Sequence, residues 1–260
     1  MAALSYSSFK DHPLTAISFY KHTTRFEPTA SGPLHLGHLY LILVNQHEAR
    51  ESGGRFVFRV DDNSPEWVWR VGQARMQEYI DGYRRDLEWL GIEPDIWLLQ
   101  SELHDEVVEL RRLLAPDWKA EERVMFTVPW VPGDDQVVYY PYAPYLTIDR
   151  VIMDTYSGVT YLIRGADLLT EHNLYLHLCD RLGLPAPRCV YLPRLKLASG
   201  SELLGNISKT SGGHSIESYR SQGTSPEYLL ESLKLACLKD PGGEWSVSNV
   251  RREPIWIWQC

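Results

Sequence analysis

A stretch close to the amino terminus, from Thr24 to His38, brings together residue types that can bind phosphate. A strand is predicted to end here, the backbone turns through a Gly-Pro pair, and a helix begins near His35. The first turn of a helix presents unpaired N–H groups and a partial positive charge, which suit phosphate oxygens. His35 and His38 lie one turn apart and could donate hydrogen bonds to the same phosphates, while Gly37 lets a flat group approach the backbone.

Two other interpretations of the paired histidines remain open at this point. The first is a surface helix on which both imidazoles are simply solvated. The second is a metal site, although no third ligand at a suitable spacing lies nearby in the sequence. The His-x-x-His spacing does not decide among the three interpretations by itself.

The elements that would position these residues alternate between strands and helices. The first half of the chain predicts strand Ala16–Phe26, helix His35–Ser52, strand Arg55–Val60 and helix Pro65–Leu90. After Gly158 the pattern predicts strand Val159–Ile163, helix Leu168–Leu182, strand Cys189–Leu192 and helix Ser225–Leu238. Such alternation is typical of crossover units and indicates a parallel sheet.

The middle of the chain, from Ser101 to Pro144, has a weaker pattern. A helix over Glu102–Leu114 is followed by several prolines, which predicts a small insert between two halves of a sheet. The segment Ala198–Gly213 is rich in Ser and Gly and predicts a loop. The last twenty residues give no clear prediction.

Composition excludes several classes of protein. The chain has 260 residues, of which 44% are hydrophobic and 23% charged, so it is neither disordered nor fibrous. Its formal charge of −8 means that nucleic acid could be bound only through a local basic patch. The four cysteines form no C-x-x-C pair and predict free thiols in a reducing cytoplasm. We find neither a signal-peptide pattern nor an apolar run of the roughly 18 residues that span a bilayer, so we expect a cytoplasmic protein without membrane contact.

Four motifs in one order resemble a known family. The stretch Arg25–His38 is similar to the first signature of class I aminoacyl-tRNA synthetases in their glutamyl/glutaminyl form. Phe58–Glu66, Asp154–Leu169 and Asn206–Thr210 resemble later segments of the same catalytic domain, the last of them its Lys-Met-Ser-Lys-Ser loop. Together they span about residues 20–240.

The resemblance implies a Rossmann-like α/β fold built on a parallel sheet. We then expect residues 16–100 to form the first half of the catalytic domain and residues 101–144 a shortened insert. Residues 145–205 would form the second half, and residues 206–260 the Lys-Met-Ser-Lys-Ser-like loop with a helical carboxy-terminal segment. In size the chain resembles the glutamyl-queuosine tRNA(Asp) synthetase, a truncated member of the family without an anticodon-binding domain, and we expect the same domain content here.

The resemblance also implies roles for individual residues. The catalytic residues would be His35, His38 and Lys209. The ATP-binding residues would be Gly37 under the adenine, Asp167 at the ribose, Ile207 and Ser208. The amino-acid-binding residues would be Arg25, Thr29, Asp61, Tyr145, Arg150 and Arg164. Two alternatives stay open: Arg25 and Arg164 could form structural ion pairs, and one of Asp61 and Asp62 could serve only to cap a helix or order a loop.

The sequence departs from the family in four places. Asn206 stands where the family has the first lysine of its loop, and Lys196 could compensate. Glu27 replaces a small residue and would repel a glutamate side chain unless it pairs with Arg25. The positions of two amino-acid contacts hold Leu146 and Arg150, with Tyr145 one residue away. Finally, the insert is short, contains no cysteine for a zinc knuckle, and the chain stops before an anticodon-binding domain.

The function that the resemblance implies is ATP-dependent formation of an aminoacyl adenylate, with Mg²⁺ accompanying ATP. The amino acid would be glutamate or an analogue. The acceptor would be a tRNA, or alternatively a small molecule or a carrier protein. A non-catalytic relative that only binds ATP or an amino acid is a further alternative.

Overall fold

The computed structural model of the protein describes residues 21–114, 126–131, 134–138, 144–199, 202–206, 214–253 and 255–259. Its main feature is a five-stranded sheet in which all neighbouring strands are parallel. Its strands are β1 Thr23–Phe26, β2 Arg55–Val60, β3 Ile96–Leu99, β6 Tyr161–Gly165 and β7 Arg188–Leu192. They are ordered β3-β2-β1-β6-β7, which confirms the predicted Rossmann-like α/β fold.

Helices connect these strands. The bounds in the first part of the chain are α1 Leu36–Glu51, α2 Pro65–Val71, α3 Gln73–Trp89 and α4 His104–Leu114. In the second part they are α5 Pro144–Tyr156, α6 His172–Arg181, α7 Ile216–Ser221 and α8 Pro226–Cys237. Short 3₁₀ turns at Gln100–Leu103 and Ala166–Glu171 precede α4 and α6.

Two smaller sheets lie outside the main one. Strands β4 Phe126–Val131 and β5 Asp134–Val138 form an antiparallel hairpin. Strands β8 Leu195–Ser199 and β9 Glu202–Asn206 are also antiparallel, and β10 Ile255–Gln259 pairs in parallel with β8. The last twenty residues, for which the sequence gives no prediction, therefore contribute a strand.

The core is divided between the two faces of the main sheet. Along β6, Tyr161 and Ile163 pack into one buried cluster and Leu162 into another, because successive side chains of a strand point to opposite faces. The first cluster is completed by apolar residues of α1, α3 and α8, and the second by those of α4, α5 and α6. Burial on both faces explains why β3 and most of β2 and β6 consist of apolar residues.

Helix α1 is fixed to the sheet by one buried amide. Asn45 is fully buried, and its Nδ2 donates to the carbonyl of Leu41 at 2.8 Å and to that of Ile163 in β6 at 3.2 Å. The Thr24 hydroxyl in β1 donates to the backbone oxygen of Asn45 at 2.7 Å. The helix is thus joined to the two central strands.

Several predicted elements differ in detail. The helix predicted over Pro65–Leu90 is interrupted at Gly72, whose φ of 83° no helical residue adopts, so two helices result. The helix predicted from Leu168 begins at His172, after a 3₁₀ turn. Strand β3 was not predicted, and β6 lies two residues later than expected. Residues 16–20 of the first predicted strand lie outside the described part of the chain.

The predicted insert over residues 101–144 contains one helix that belongs to the core. In α4, Val107 and Leu110 pack in the same buried cluster as Ile148 and Ile152 of α5. The division of the chain into catalytic halves and insert stays a prediction, but α4 is packed against the sheet domain. Over the described residues no helix is both long enough and apolar enough to cross a membrane, and Cys179, Cys189 and Cys237 are free thiols.

Two glycines allow a matched test of this packing. A Cβ at Gly54, just before β2, would lie 2.0 Å from the carbonyl oxygen of His22, whereas a Cβ at Gly82 within α3 would have only the Arg85 side chain near it, at 3.8 Å. We expect Gly54→Ala to lower the free energy of unfolding by about 1–3 kcal/mol because backbone must move. Gly82→Ala should raise it by up to about 1 kcal/mol through helix propensity. Urea denaturation measures both, and equal effects of the two variants would contradict the close approach at Gly54.

Candidate nucleotide and amino-acid site

The site predicted from the sequence lies at the carboxyl edge of the sheet. Strand β1 continues toward α1, on the face of the first core cluster, whereas β6 continues toward α6 on the opposite face. Open α/β sheets bind ligands in the crevice that forms where neighbouring connections leave in opposite directions. We therefore expect the ligand site at the ends of β1, β2 and β6.

The two histidines stack on one another at the start of α1. His35 is the N-cap residue, with an extended backbone, and its Nδ1 accepts a hydrogen bond from the backbone N–H of His38 at 3.3 Å. The two rings are 3.6 Å apart between centroids and inclined by 21°. The edge of Phe26, at the end of β1, packs against His38. The pair lies at the helix amino terminus, with His35 buried and His38 half-buried.

Gly37 allows this stacking. A Cβ at Gly37 would lie 3.1 Å from the His35 imidazole, so a side chain there would displace the ring. The metal interpretation gains no support: within the described residues, no group of three or more His, Cys, Asp or Glu side chains could hold a metal ion.

Asp167 lies on the turn that follows β6. Its carboxylate pairs with Arg194 Nη2 at 2.9 Å, and both side chains are partly exposed. A Cβ at Gly165 would collide with Asp167 Oδ1, so this glycine lets the carboxylate fold back over the backbone. Sequence reasoning did not identify Arg194, which lies between β7 and β8 and belongs to no motif.

Three of the predicted amino-acid-binding residues, Arg25, Arg150 and Arg164, belong to a set of buried and half-buried charges at the ends of β1, β2 and β6. We call this set the charge cluster; it consists of Arg25, Glu27, Arg59, Arg150, Asp154, Arg164 and Glu171. Residues from three strands and from the segments of α5 and α6 thus meet at one place.

Asp154 is shared between two arginines and a tyrosine of the protein interior. Its Oδ1 accepts from Arg25 Nε at 2.8 Å and from Arg59 Nη2 at 2.7 Å, and its Oδ2 accepts from the hydroxyl of Tyr175 at 2.8 Å. Burial would raise the pKa of Asp154, but the charges of Arg25 and Arg59 outweigh it and lower that pKa. The group is therefore held as a carboxylate.

Glu27 pairs with arginine, as the sequence suggested it must. Its Oε2 lies 2.5 Å from Arg59 Nη2 and 3.2 Å from Arg25 Nε. Its Oε1 lies 3.3 Å from Arg150 Nε and 3.1 Å from Gln100 Nε2. Burial alone would raise the pKa of Glu27, but the three guanidinium charges hold that pKa well below its usual range.

Arg164 and Arg150 share the carboxylate of Glu171. Arg164 Nη2 and Arg150 Nη1 both lie 2.9 Å from Glu171 Oε2. Arg25, Arg150 and Arg164 therefore all form ion pairs within the protein, which is the structural alternative left open by the sequence. Sequence reasoning missed Arg59, although a charged residue inside an apolar strand run was a signal that it would need buried partners.

Asp61 and Asp62 have different environments. Asp61 Oδ2 accepts from the hydroxyl of Thr29 at 3.2 Å, and burial together with the charge of Glu27 raises the pKa of Asp61. Asp62 instead accepts from the backbone N–H of Ser101 at 2.9 Å and from its hydroxyl at 2.5 Å. Asp62 thus orders the turn after β3, while Asp61 faces the site.

A cavity of about 160 Å³ opens beside Asp61. Its polar lining consists mainly of Glu27, Thr29, Asp61, Gln100, Asp149 and Arg150. Burial raises the pKa of Asp149 to about 6, although Arg111 holds its two oxygens at 3.0 Å each. The cavity therefore presents several carboxylates and one guanidinium group.

Part of the predicted site cannot be placed. Ile207, Ser208 and Lys209 lie outside the described residues, immediately after Asn206 at the end of β9. Tyr145 lies in the first turn of α5, where only the backbone is described. The roles of these four residues stay predictions.

The charge cluster gives a prediction about stability. Asp154→Asn leaves Arg25 and Arg59 buried with less negative charge, and we expect a loss of about 3–5 kcal/mol in the free energy of unfolding. Asp167→Asn, which removes a partly exposed ion pair, should cost less than about 1 kcal/mol. Urea titrations of both variants at neutral pH test this difference. Equal losses would show that the buried carboxylate of Asp154 contributes no more to the free energy of unfolding than the partly exposed one of Asp167.

Comparison with known proteins agrees with this geometry. Residues 21–120 match the family described as "tRNA synthetases class I (E and Q), catalytic domain". A glutamate–tRNA ligase 1 of Paracoccus denitrificans is 29% identical over 282 residues, covering 81% of this chain and 60% of the relative. The glutamate–tRNA ligase of Aquifex aeolicus is 27% identical over 280 residues, covering 83% of this chain and 57% of the relative. The chain spans about three fifths of the length of these relatives.

Solved structures share the fold. The crystal structure of a glutamate–tRNA synthetase from Elizabethkingia anophelis superposes with a TM-score of 0.64 at 18% sequence identity, covering 91% of this chain and 68% of the other. At that identity the likeness establishes the fold alone. The chain is therefore similar in sequence, over residues 21–120, to the catalytic domain of the class I tRNA synthetases for glutamate and glutamine, and it has the fold of a glutamate–tRNA synthetase.

Proposed function

We propose that the protein is a ligase that activates an amino acid with ATP, releasing pyrophosphate and forming an aminoacyl adenylate. The observation that carries this proposal is the position of the His35–His38 stack, at the same sheet edge as the cavity lined by Asp61 and Thr29. A helix amino terminus, a position suited to phosphate, at the same sheet edge as a polar cavity favours a reaction that joins a carboxylate to a phosphate. The similarity to glutamate–tRNA ligases supports the same chemistry.

The reaction forms one bond and breaks one bond. A carboxylate oxygen of the amino acid attacks the α-phosphorus of ATP, and the bond from that phosphorus to the bridging oxygen breaks, so that pyrophosphate leaves. The imidazoles of His35 and His38 would hold phosphate oxygens, and Lys209 would stabilise the charge that develops on them. Mg²⁺ would arrive with the phosphates of ATP, as it commonly does.

The remaining residues would position the two substrates. Gly37, Ile207 and Ser208 would contact the nucleotide, and Asp167 would accept from its ribose after releasing Arg194. Asp61, with Thr29 beside it, would accept hydrogen bonds from the α-ammonium group of the amino acid. The relatives' names favour tRNA as the acceptor, and a small molecule or carrier protein is the alternative that the assay below separates.

The decisive experiment is ATP–pyrophosphate exchange with each of the twenty amino acids, with and without bulk tRNA. We expect exchange with at least one amino acid, and a requirement for tRNA would favour a synthetase over a ligase for another acceptor. Lys209→Ala is the control variant: turnover should fall far more than ATP affinity, because the lysine acts on the transferring phosphates. Absence of exchange under every condition would contradict the proposed activity and favour a protein that only binds ATP or an amino acid.

Asp61 gives a second test. Asp61→Ala should raise the KM for the amino acid about tenfold or more, because a charged hydrogen-bond partner of the ammonium group is lost. Asp62→Ala is the matched control and should leave that KM within about twofold, since Asp62 holds only the turn at Ser101. In the wild type the KM should rise as the pH falls through the raised pKa of Asp61, because the protonated acid no longer attracts the ammonium group. Similar KM values for the two variants would remove Asp61 from the proposed site.

A further inference from the structure

We propose that Glu27 is a specificity-determining residue: its carboxylate fills the anion-binding position of the site, so that the substrate is an amino acid whose side chain carries no carboxylate. This inference rests on the proposed function, which it refines by naming the substrate class. It concerns the buried end of the cavity, where Glu27 meets Arg25, Arg59 and Arg150.

Glu27 is engaged at both of its carboxylate oxygens. Its Oε2 accepts a hydrogen bond from Arg59 and lies 3.2 Å from Arg25 Nε, while its Oε1 accepts from Gln100 and lies 3.3 Å from Arg150 Nε. Two hydrogen bonds and two further ion pairs inside the protein make Glu27 an internal counter-ion of the three arginines.

Arg25 is held by the two resident carboxylates. Its side chain is 5% exposed, its Nε and Nη2 both donate to Asp154, and its Nε also lies 3.2 Å from Glu27 Oε2. A substrate carboxylate could reach Nε or Nη2 only by displacing one of these two carboxylates. Displacement would leave that carboxylate buried without its partner, which is strongly unfavourable. Arg25 is therefore committed to structure in this protein.

Carboxylates outnumber guanidinium groups along the described lining of the cavity. Glu27, Asp61 and Asp149 line it, whereas Arg150 is the one arginine among the described lining residues and is itself shared between Glu27 and Glu171. Arg164 keeps N–H groups without hydrogen-bond partners in the described part of the chain, but it does not line the cavity. An acidic side chain that reached the end of the cavity at Glu27 would lie beside that resident carboxylate, which disfavours binding.

The remaining lining suits another kind of side chain. Trp67, Val107 and Met153 supply apolar surface, while Asn63 and Ser64 supply neutral polar groups. An uncharged side chain can pack against this surface, and a basic one can approach the carboxylate of Asp149. The substrate class is therefore an α-amino acid with an uncharged or basic side chain.

Glu27→Ala tests this inference directly. The variant removes the resident carboxylate and leaves a space facing Arg25, Arg59 and Arg150. Calorimetric titration without ATP should show L-glutamate binding about tenfold or more tighter to Glu27→Ala than to the wild type, because repulsion becomes attraction. L-Glutamine, of the same shape without the charge, should show no such gain. Glu27→Gln is the matched control: it keeps the volume of the side chain, so glutamate should gain no space there.

A second measurement covers the case in which Glu27→Ala is too unstable to titrate. Acetate should raise its melting temperature relative to chloride at equal ionic strength, since a small carboxylate can replace the missing one, and it should leave the wild type and Glu27→Gln unchanged. In the wild type, glutamate should bind about a hundredfold more weakly than the best neutral or basic amino acid.

Two results would overturn the inference: wild-type binding of glutamate as tight as that of any other amino acid, or a Glu27→Ala variant that responds to neither glutamate nor acetate. Because these readouts measure binding and melting, they are independent of adenylate formation. If the exchange assay failed while Glu27→Ala still gained glutamate binding, the proposed function would be overturned. The role of Glu27 as the occupant of the anion-binding position would remain supported.

Discussion

One carboxylate oxygen, Oδ1 of Asp154, is shared by the guanidinium groups of Arg25 and Arg59, and the geometry of the site depends on this sharing. The three residues come from α5, β1 and β2, so the shared oxygen joins two neighbouring strands to the helix that covers them. Burying such ions costs solvation free energy that their attraction only partly offsets. The interaction is therefore better understood as fixing the relative positions of these elements than as a source of stability.

The same electrostatics fix protonation states throughout the charge cluster. Burial and the neighbouring Asp154 carboxylate raise the pKa of the Tyr175 hydroxyl well above its usual value, so it remains a neutral donor to that carboxylate. The arginines keep Glu27 and Asp154 ionised, whereas Asp61, without an arginine hydrogen bond, has a raised pKa. Carboxylates of one site thus acquire opposite pKa shifts: the charges of several arginines outweigh burial at Glu27 and Asp154, whereas burial prevails at Asp61.

The sequence predicted the fold more completely than it predicted the side-chain contacts of the site. Strand β2 and helix α1 were identified nearly to the residue, because an apolar run and a periodic pattern are local signals. The sequence pattern did not predict the break at Gly72, because a single glycine between two helical patterns does not by itself indicate a positive φ. The partners of Arg25 and the burial of Arg59 depend on contacts with residues far along the chain, which no local pattern encodes. The different environments of Asp61 and Asp62 were anticipated as an alternative, but only the fold shows which one faces the cavity.

Asn45 carries a consequence for the opposite end of its helix. Its side-chain amide donates a hydrogen bond to a carbonyl of β6, and its backbone carbonyl accepts one from the hydroxyl of Thr24 in β1. Helix α1 therefore cannot slide along its axis or rotate about it without breaking both hydrogen bonds. The stacked imidazoles of His35 and His38 stand at the amino end of this same rigid rod. A substitution at Asn45 would consequently misalign those rings against the strand ends, so the position of the stacked imidazoles is set by contacts deep within the sheet.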